Sequence, residues 1–217
     1  MRSITIALFM TVVMFSTVRA VRGQAASAVT TDTFRVGAEQ AGVAYNHIGK
    51  GRISYQPSGG KSFRVSVDAR ITNPQTEEQY EIRLALAFVL DEQRLYLKKE
   101  QSKSFFSEAA RQYAGRVEAL CAFAHIVRIT IPPQEGREPT RTYVFRGDEY
   151  TLLYVPTERY KEVTLIESGQ KVAKFFLCRD SVSLPVQIAH FRLYPGEGRA
   201  LRFAVTGPDG KDRGCSP

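Results

Sequence analysis

The 217 residues, 43% apolar and 24% charged, fit one medium domain with or without a targeting segment. They exclude a disulfide miniprotein, a large multi-domain machine and a wholly disordered chain, and a chain of this length can fold without a metal or a staple. The formal net charge of +8 falls to +5 without residues 1–25, which hold three arginines and no acid; that balance tolerates an anionic partner without requiring one.

The chain opens with a basic start, Met1-Arg2-Ser3, followed by the apolar run Ile4–Phe15. Small residues follow, with cleavage-like endings at Val18-Arg19-Ala20, Gly23-Gln24-Ala25 and Ala26-Ser27-Ala28. This is the layout of a secretory signal peptide over residues 1–25. The apolar run is shorter than the roughly 20 residues a membrane span needs. No later stretch is long enough either, and no cysteine near the cleavage region could accept a lipid. The mature chain is expected to be extracytoplasmic, secreted or periplasmic, with no transmembrane span. Residues 26–33 read as a flexible lead-in and 34–217 as a single β-rich domain.

Short extended pieces are expected around Phe34–Val36, Val43–Tyr45 and Arg52–Tyr55, before a loop at Gln56-Pro57-Ser58-Gly59-Gly60. The strongest pattern follows. Phe63, Val65, Val67, Ala69 and Ile71 alternate with polar residues, and so do Tyr80, Ile82, Leu84, Leu86, Phe88 and Leu90. These are two half-buried strands, 62–72 and 79–90, around the loop 73–78. If they form a hairpin with Thr72 opposite Gln79, facing numbers add to 151. One register then collects the apolar face and sets Arg70 opposite Glu81 and Asp68 opposite Arg83; a one-residue slip would destroy both. Ala85, Ala87 and Val89 are small and apolar on the outer face, so another element is expected to cover them.

The expected cover is a helix at about 104–121, with the stripe Phe105, Ala109, Tyr113, Val117 and Cys121, Ser104 as cap, and Gly115 as a weak point. Strands are expected again at Ile126–Ile131, Thr142–Phe145, Tyr150–Val155, Val163–Ile166, Lys171–Cys178, Val186–Tyr194 and Arg199–Val205, with a turn at Pro195-Gly196-Glu197-Gly198. The fold class is therefore mainly β: an antiparallel sandwich or barrel-like domain with one flanking or inserted α-helix.

Chemical motifs are sparse. Ser58-Gly59-Gly60-Lys61-Ser62 ends like a phosphate loop, but Tyr55 stands where glycine is needed and a strand follows instead of a helix. Glu118, Cys121 and His125 share a helical spacing, yet Cys121 lies on the apolar stripe and reads as packing. His47 and His190 have no nearby nucleophile. Arg146-Gly147-Asp148 is an RGD tripeptide that also reads as a hairpin turn. The basic residues are scattered except at Arg94, Lys98, Lys99 and Lys103, which read as a solvated face more than a binding patch, and no nucleic-acid partner is expected. Of Cys121, Cys178 and Cys215, the first-choice pair is Cys178–Cys215, with Cys121–Cys178 and no bond as alternatives. No catalytic, cofactor-binding or metal-ligating residue is singled out, and no cofactor is expected. The expected function is a non-catalytic binding or assembly module that meets a protein or surface partner through loops or a sheet edge; the alternative is a small secreted, hydrolase-like enzyme with a dispersed active site.

Overall fold

Period-two alternation along twelve strands produces a closed barrel. The computed structural model describes residues 29–40, 42–130, 139–156, 160–178, 184–196 and 199–206. The expected signal segment 1–25 and Cys215 lie outside the described residues. The strands are β1 (Thr30–Gln40), β2 (Val43–Pro57), β3 (Ser62–Thr72), β4 (Gln79–Asp91), β5 (Arg94–Leu97), β6 (Lys103–Phe106), β7 (Thr140–Phe145), β8 (Asp148–Pro156), β9 (Tyr160–Glu167), β10 (Gln170–Cys178), β11 (Ile188–Gly196) and β12 (Arg199–Thr206). The order is β3-β2-β1-β12-β11-β10-β9-β8-β7-β5-β4, and β4 pairs back onto β3, closing an 11-strand wall. A barrel, not a sandwich, is thus the β architecture adopted. Closure satisfies the main-chain groups that an open sheet leaves bare at its two edges.

The β3–β4 hairpin has the expected register. All eleven pairs, from Ser62↔Val89 to Thr72↔Gln79, add to 151. Phe63, Val65, Ala69, Ile82, Leu84, Leu86 and Phe88 point inward and are buried. Arg70 pairs with Glu81 at 3.3 Å on the outside. Asp68 stands opposite Arg83 but bonds Arg52 of β2 at 3.5 Å, while Arg83 turns to Glu81. The stretch expected as a lead-in joins the sheet from Thr30, where Thr31 bonds Ser54 and Thr33 bonds Thr206.

The seam of the wall is the far edge of β4. It is shared by β5, opposite Phe88–Asp91, and β6, opposite Ile82–Ala85. β5 then meets β7 in parallel through only two residue pairs, Arg94↔Val144 and Leu95↔Phe145. The other strand pairs are antiparallel.

The helix differs from the expectation in place and extent. Residues 103–106 are strand β6. A single helical turn, α1 (Glu108–Arg111), follows, then a break, then α2 (Ala114–Ile129). Ser107, not Ser104, precedes the first turn; its hydroxyl donates to the Gln79 carbonyl and accepts from the Glu81 N–H, tying the turn to β4. The break falls at Gln112 and Tyr113, just before Gly115. The segment 126–131, expected as a strand, is helical through Ile129. Val117–Ala119 and Cys121–Arg128 of α2 are buried, on every side of the helix. A helix apolar all round belongs inside a fold, and α2 lies within the barrel. It packs on the inner faces of the strands, so it does not cover Ala85 and Ala87. At Ala87 the wall is instead capped by the segment 98–102: Lys98 N–H donates to the Ala87 carbonyl and Ala87 N–H to Ser102 Oγ.

Candidate functional site: an apolar cavity beside the central helix

One side of α2 fills the barrel and the other does not. Toward β7–β10, Phe123 packs on Tyr143 and Tyr150 with ring centres 5.8 and 5.0 Å away. Toward β1–β4, β11 and β12, the helix presents Val117, Leu120, Cys121 and Ala124 to a cavity of about 200 Å³. Its wall is Phe34, Ile53, Val67, Ala69, Ile71, Ile82, Phe191, Leu193, Leu201 and Phe203. Small residues create the space: Ala38 and Ala69 of the wall and Ala124 of the helix stand where larger side chains would bring wall and helix together. Phe34 is drawn to the wall by Gly51, where a Cβ would stand 2.6 Å from the Phe34 ring. That glycine is required for the close approach. Phe34, Phe191 and Phe203 then form one aromatic cluster, Phe191 and Phe203 stacked at 4.3 Å.

The mouth lies at the barrel end where α2 begins. It is bordered by Glu39, Gln40, Asn73, Pro74, Tyr80, Tyr113, Pro195 and Arg199. Deep inside, Cys121 is a free thiol pushed up to about 12 by burial first and the Glu118 charge second. It is protonated at neutral pH and behaves as a small apolar group.

The opposite end of the helix is closed by buried polar chemistry. The Arg128 guanidinium lies 4.0 Å over the Tyr55 ring, and its Nε donates to the Val186 carbonyl at 3.3 Å. Val186 N–H returns a bond to the Arg128 carbonyl at 2.7 Å. Asp32, 2% exposed, also acts on Tyr55, whose hydroxyl is pushed well above the usual tyrosine range by burial. His125 stacks on Phe63 at 4.2 Å, and burial followed by the Arg128 charge lowers it to about 4.

The motifs of the sequence resolve into structural roles. Glu118 turns to Arg146, Cys121 to the cavity and His125 to Phe63, so the three form no common site. No group of three His, Cys, Asp or Glu placed to hold a metal exists among the described residues. Gly59 and Gly60 take positive φ in the β2–β3 turn, and Lys61 pairs with Asp91. Arg146 and Gly147 take positive φ in the two-residue β7–β8 turn, the geometry that hairpins favour. The arginine of the RGD tripeptide is thereby folded back onto Glu118 of the helix. His47 sits at positive φ on β2, and His190 stacks on Phe176 at 4.1 Å. The cavity itself was not foreseen, because its walls come from six strands and it is defined by missing volume. The available signal was the unbroken apolarity of residues 119–124.

No protein-family model and no curated protein matches the chain. Among solved structures, a domain assigned to outer membrane lipoprotein sorting, from Vibrio parahaemolyticus, is similar at 10% identity and a TM-score of 0.32, over 83% of this chain and 84% of that one. A DUF1329 family protein from Desulfovibrio piger is similar at 8% identity and a TM-score of 0.30, over 84% and 85%. Neither overlap is close enough to bear on fold or ligand. No helix among the described residues is long and apolar enough to cross a membrane.

Proposed function

We propose that this chain is an extracytoplasmic, non-catalytic binding module that takes one apolar chain or ring into the cavity beside α2. The observation that carries the reading is the aliphatic and aromatic lining, open at one end of an otherwise packed barrel. Ligand pockets are typically apolar clefts with a few polar groups at fixed places, and this cavity has that distribution. The reading moves recognition from a sheet edge to the barrel interior, because closure pairs most of the edges. Export is supported by the basic start, short apolar run and small-residue endings of residues 1–28.

The test is titration of the mature protein with octanol, an uncharged probe, followed by calorimetry and by the shift in Tm. Saturable one-to-one binding is expected. Ala124→Phe, which fills the cavity from the helix side, should abolish it while the far-UV spectrum stays that of the parent. Absence of saturable binding, or binding unchanged in Ala124→Phe, would overturn the reading.

A further inference from the structure

The mouth of the cavity holds Arg199 beside a carboxylate, Glu39, that is already paired, and we infer from it that the ligand is an amphiphile with an anionic head, a carboxylate or a phosphate. The inference rests on the cavity being the binding site. β1 and β12 pair in one register, without a shift, from Thr33↔Thr206 to Gln40↔Arg199. Side chains alternate faces along a strand. The inward rungs are Phe34 with Val205, Val36 with Phe203, and Ala38 with Leu201. The next inward rung is Gln40 with Arg199, and both border the cavity.

The carboxylate at this rim, Glu39, also borders the cavity but is already paired. Glu39 belongs to the outward set and accepts from Arg202, also outward, at 3.0 Å. No carboxylate pairs with Arg199 among the described residues. Across the mouth, Asn73 is already engaged: its Oδ1 accepts the Gln75 N–H at 3.0 Å and its amide bonds the Tyr80 hydroxyl. The rim thus offers the Arg199 guanidinium above a deep apolar wall. Guanidinium is suited to carboxylate and phosphate alike. An engineered cavity of about 150 Å³ holds benzene, so 200 Å³ corresponds to a tail of about eight carbons on the same scale.

The experiment compares octanoate, octyl phosphate, octanol and octylamine on the mature protein at pH 7.5, with Arg199→Gln and, as a control on the outer face of β2, Lys50→Gln. The anionic probes should bind three- to tenfold tighter than octanol, and octylamine more weakly. The exposure of Arg199 keeps the factor modest. Arg199→Gln should remove the preference and leave octanol within twofold; Lys50→Gln should change neither. Added salt should weaken the anions and spare octanol. The tighter of the two anionic probes identifies the head group. Affinity should rise about fourfold per added methylene until the cavity is full. If octanol binds and octanoate binds no tighter, or if Arg199→Gln leaves the preference intact, the anionic head is refuted while the cavity reading stands. If no probe binds, the cavity reading fails.

Discussion

The two sides of α2 face walls of the same construction and reach opposite outcomes. Toward β7–β10 the wall carries Tyr143, Phe145, Tyr150 and Phe175, and the helix answers with Phe123; the interior is filled. Toward β1–β4, β11 and β12 the wall carries Ala38, Val67 and Ala69 beside the rings of Phe34, Phe191 and Phe203, which pack on one another, and the helix answers with Val117, Cys121 and Ala124. Inward alternation therefore sets which residues face the helix, and side-chain volume alone decides whether they meet it. The filled half lies toward β7–β10, and the space for a ligand lies where the small residues of wall and helix face each other.

The sharpest way to break this contrast is Phe123→Ala. It opens a void in the filled half and should cost about 3–5 kcal/mol in urea denaturation. A loss below about 1 kcal/mol would mean the filled side is not tightly packed. Next is the end of β10 on the same side. A Cys178–Cys215 bond should appear as one linked species in non-reducing peptide maps, and Cys215→Ser should then cost about 2–4 kcal/mol. Free labelling of Cys178 and Cys215 in the non-reduced protein would refute the bond.

The pH dependence tests the closed end of the helix. His125 is lowered to about 4 in the fold, against about 6.5 in the unfolded chain. Between these values the unfolded state binds more protons, so stability is complete above pH 6.5 and is lost as pH falls toward 4. The loss should be about 3 kcal/mol at ~1.36 kcal/mol per unit, and His125→Gln should flatten it. On the cavity side, Val67→Ala enlarges an existing space instead of creating one, and should cost only about 1 kcal/mol. The smallest effect belongs to the outer face: Arg70→Ala removes an exposed partner of Glu81 and should cost at most about 1 kcal/mol. A larger loss there than for Val67→Ala would reverse the assignment of inner and outer faces.

The hairpin was legible because one apolar face and one set of charges demanded the same register, and nothing else in the chain competes with it. The helix was legible only in part. The spacing of Phe105, Ala109, Tyr113, Val117 and Cys121 mimics an amphipathic stripe, yet Phe105 stands 45% exposed on β6. Ile126–Ile131 is a short apolar run, and periodicity cannot separate a buried strand from a buried helix over such a length. The neighbouring Ala122, Phe123 and Ala124, apolar on consecutive positions, were the better sign of a helix surrounded by protein. The candidate site was illegible for another reason. Ala38, Ala69 and Ala124 are unremarkable in sequence, and only the closure of the barrel brings their small volumes together. Arg199 likewise reads as a turn-flanking charge until its register with Gln40 turns it inward.

A helix held inside a closed wall also sets an order of events. Strands that surround α2 cannot complete their circuit before the helix is in place, so the seam must form late. The β5–β7 contact is the shortest pairing in the wall and the one that runs in parallel, while β1 and β12 bring Thr33 to Thr206 across most of the chain. Both closures pay a large loop entropy before they return any contact, the circumstance that makes folding slow. During that interval the aromatic face of β7–β10 and the apolar helix are exposed together, so the newly made chain is most prone to aggregate just before its two-residue seam closes.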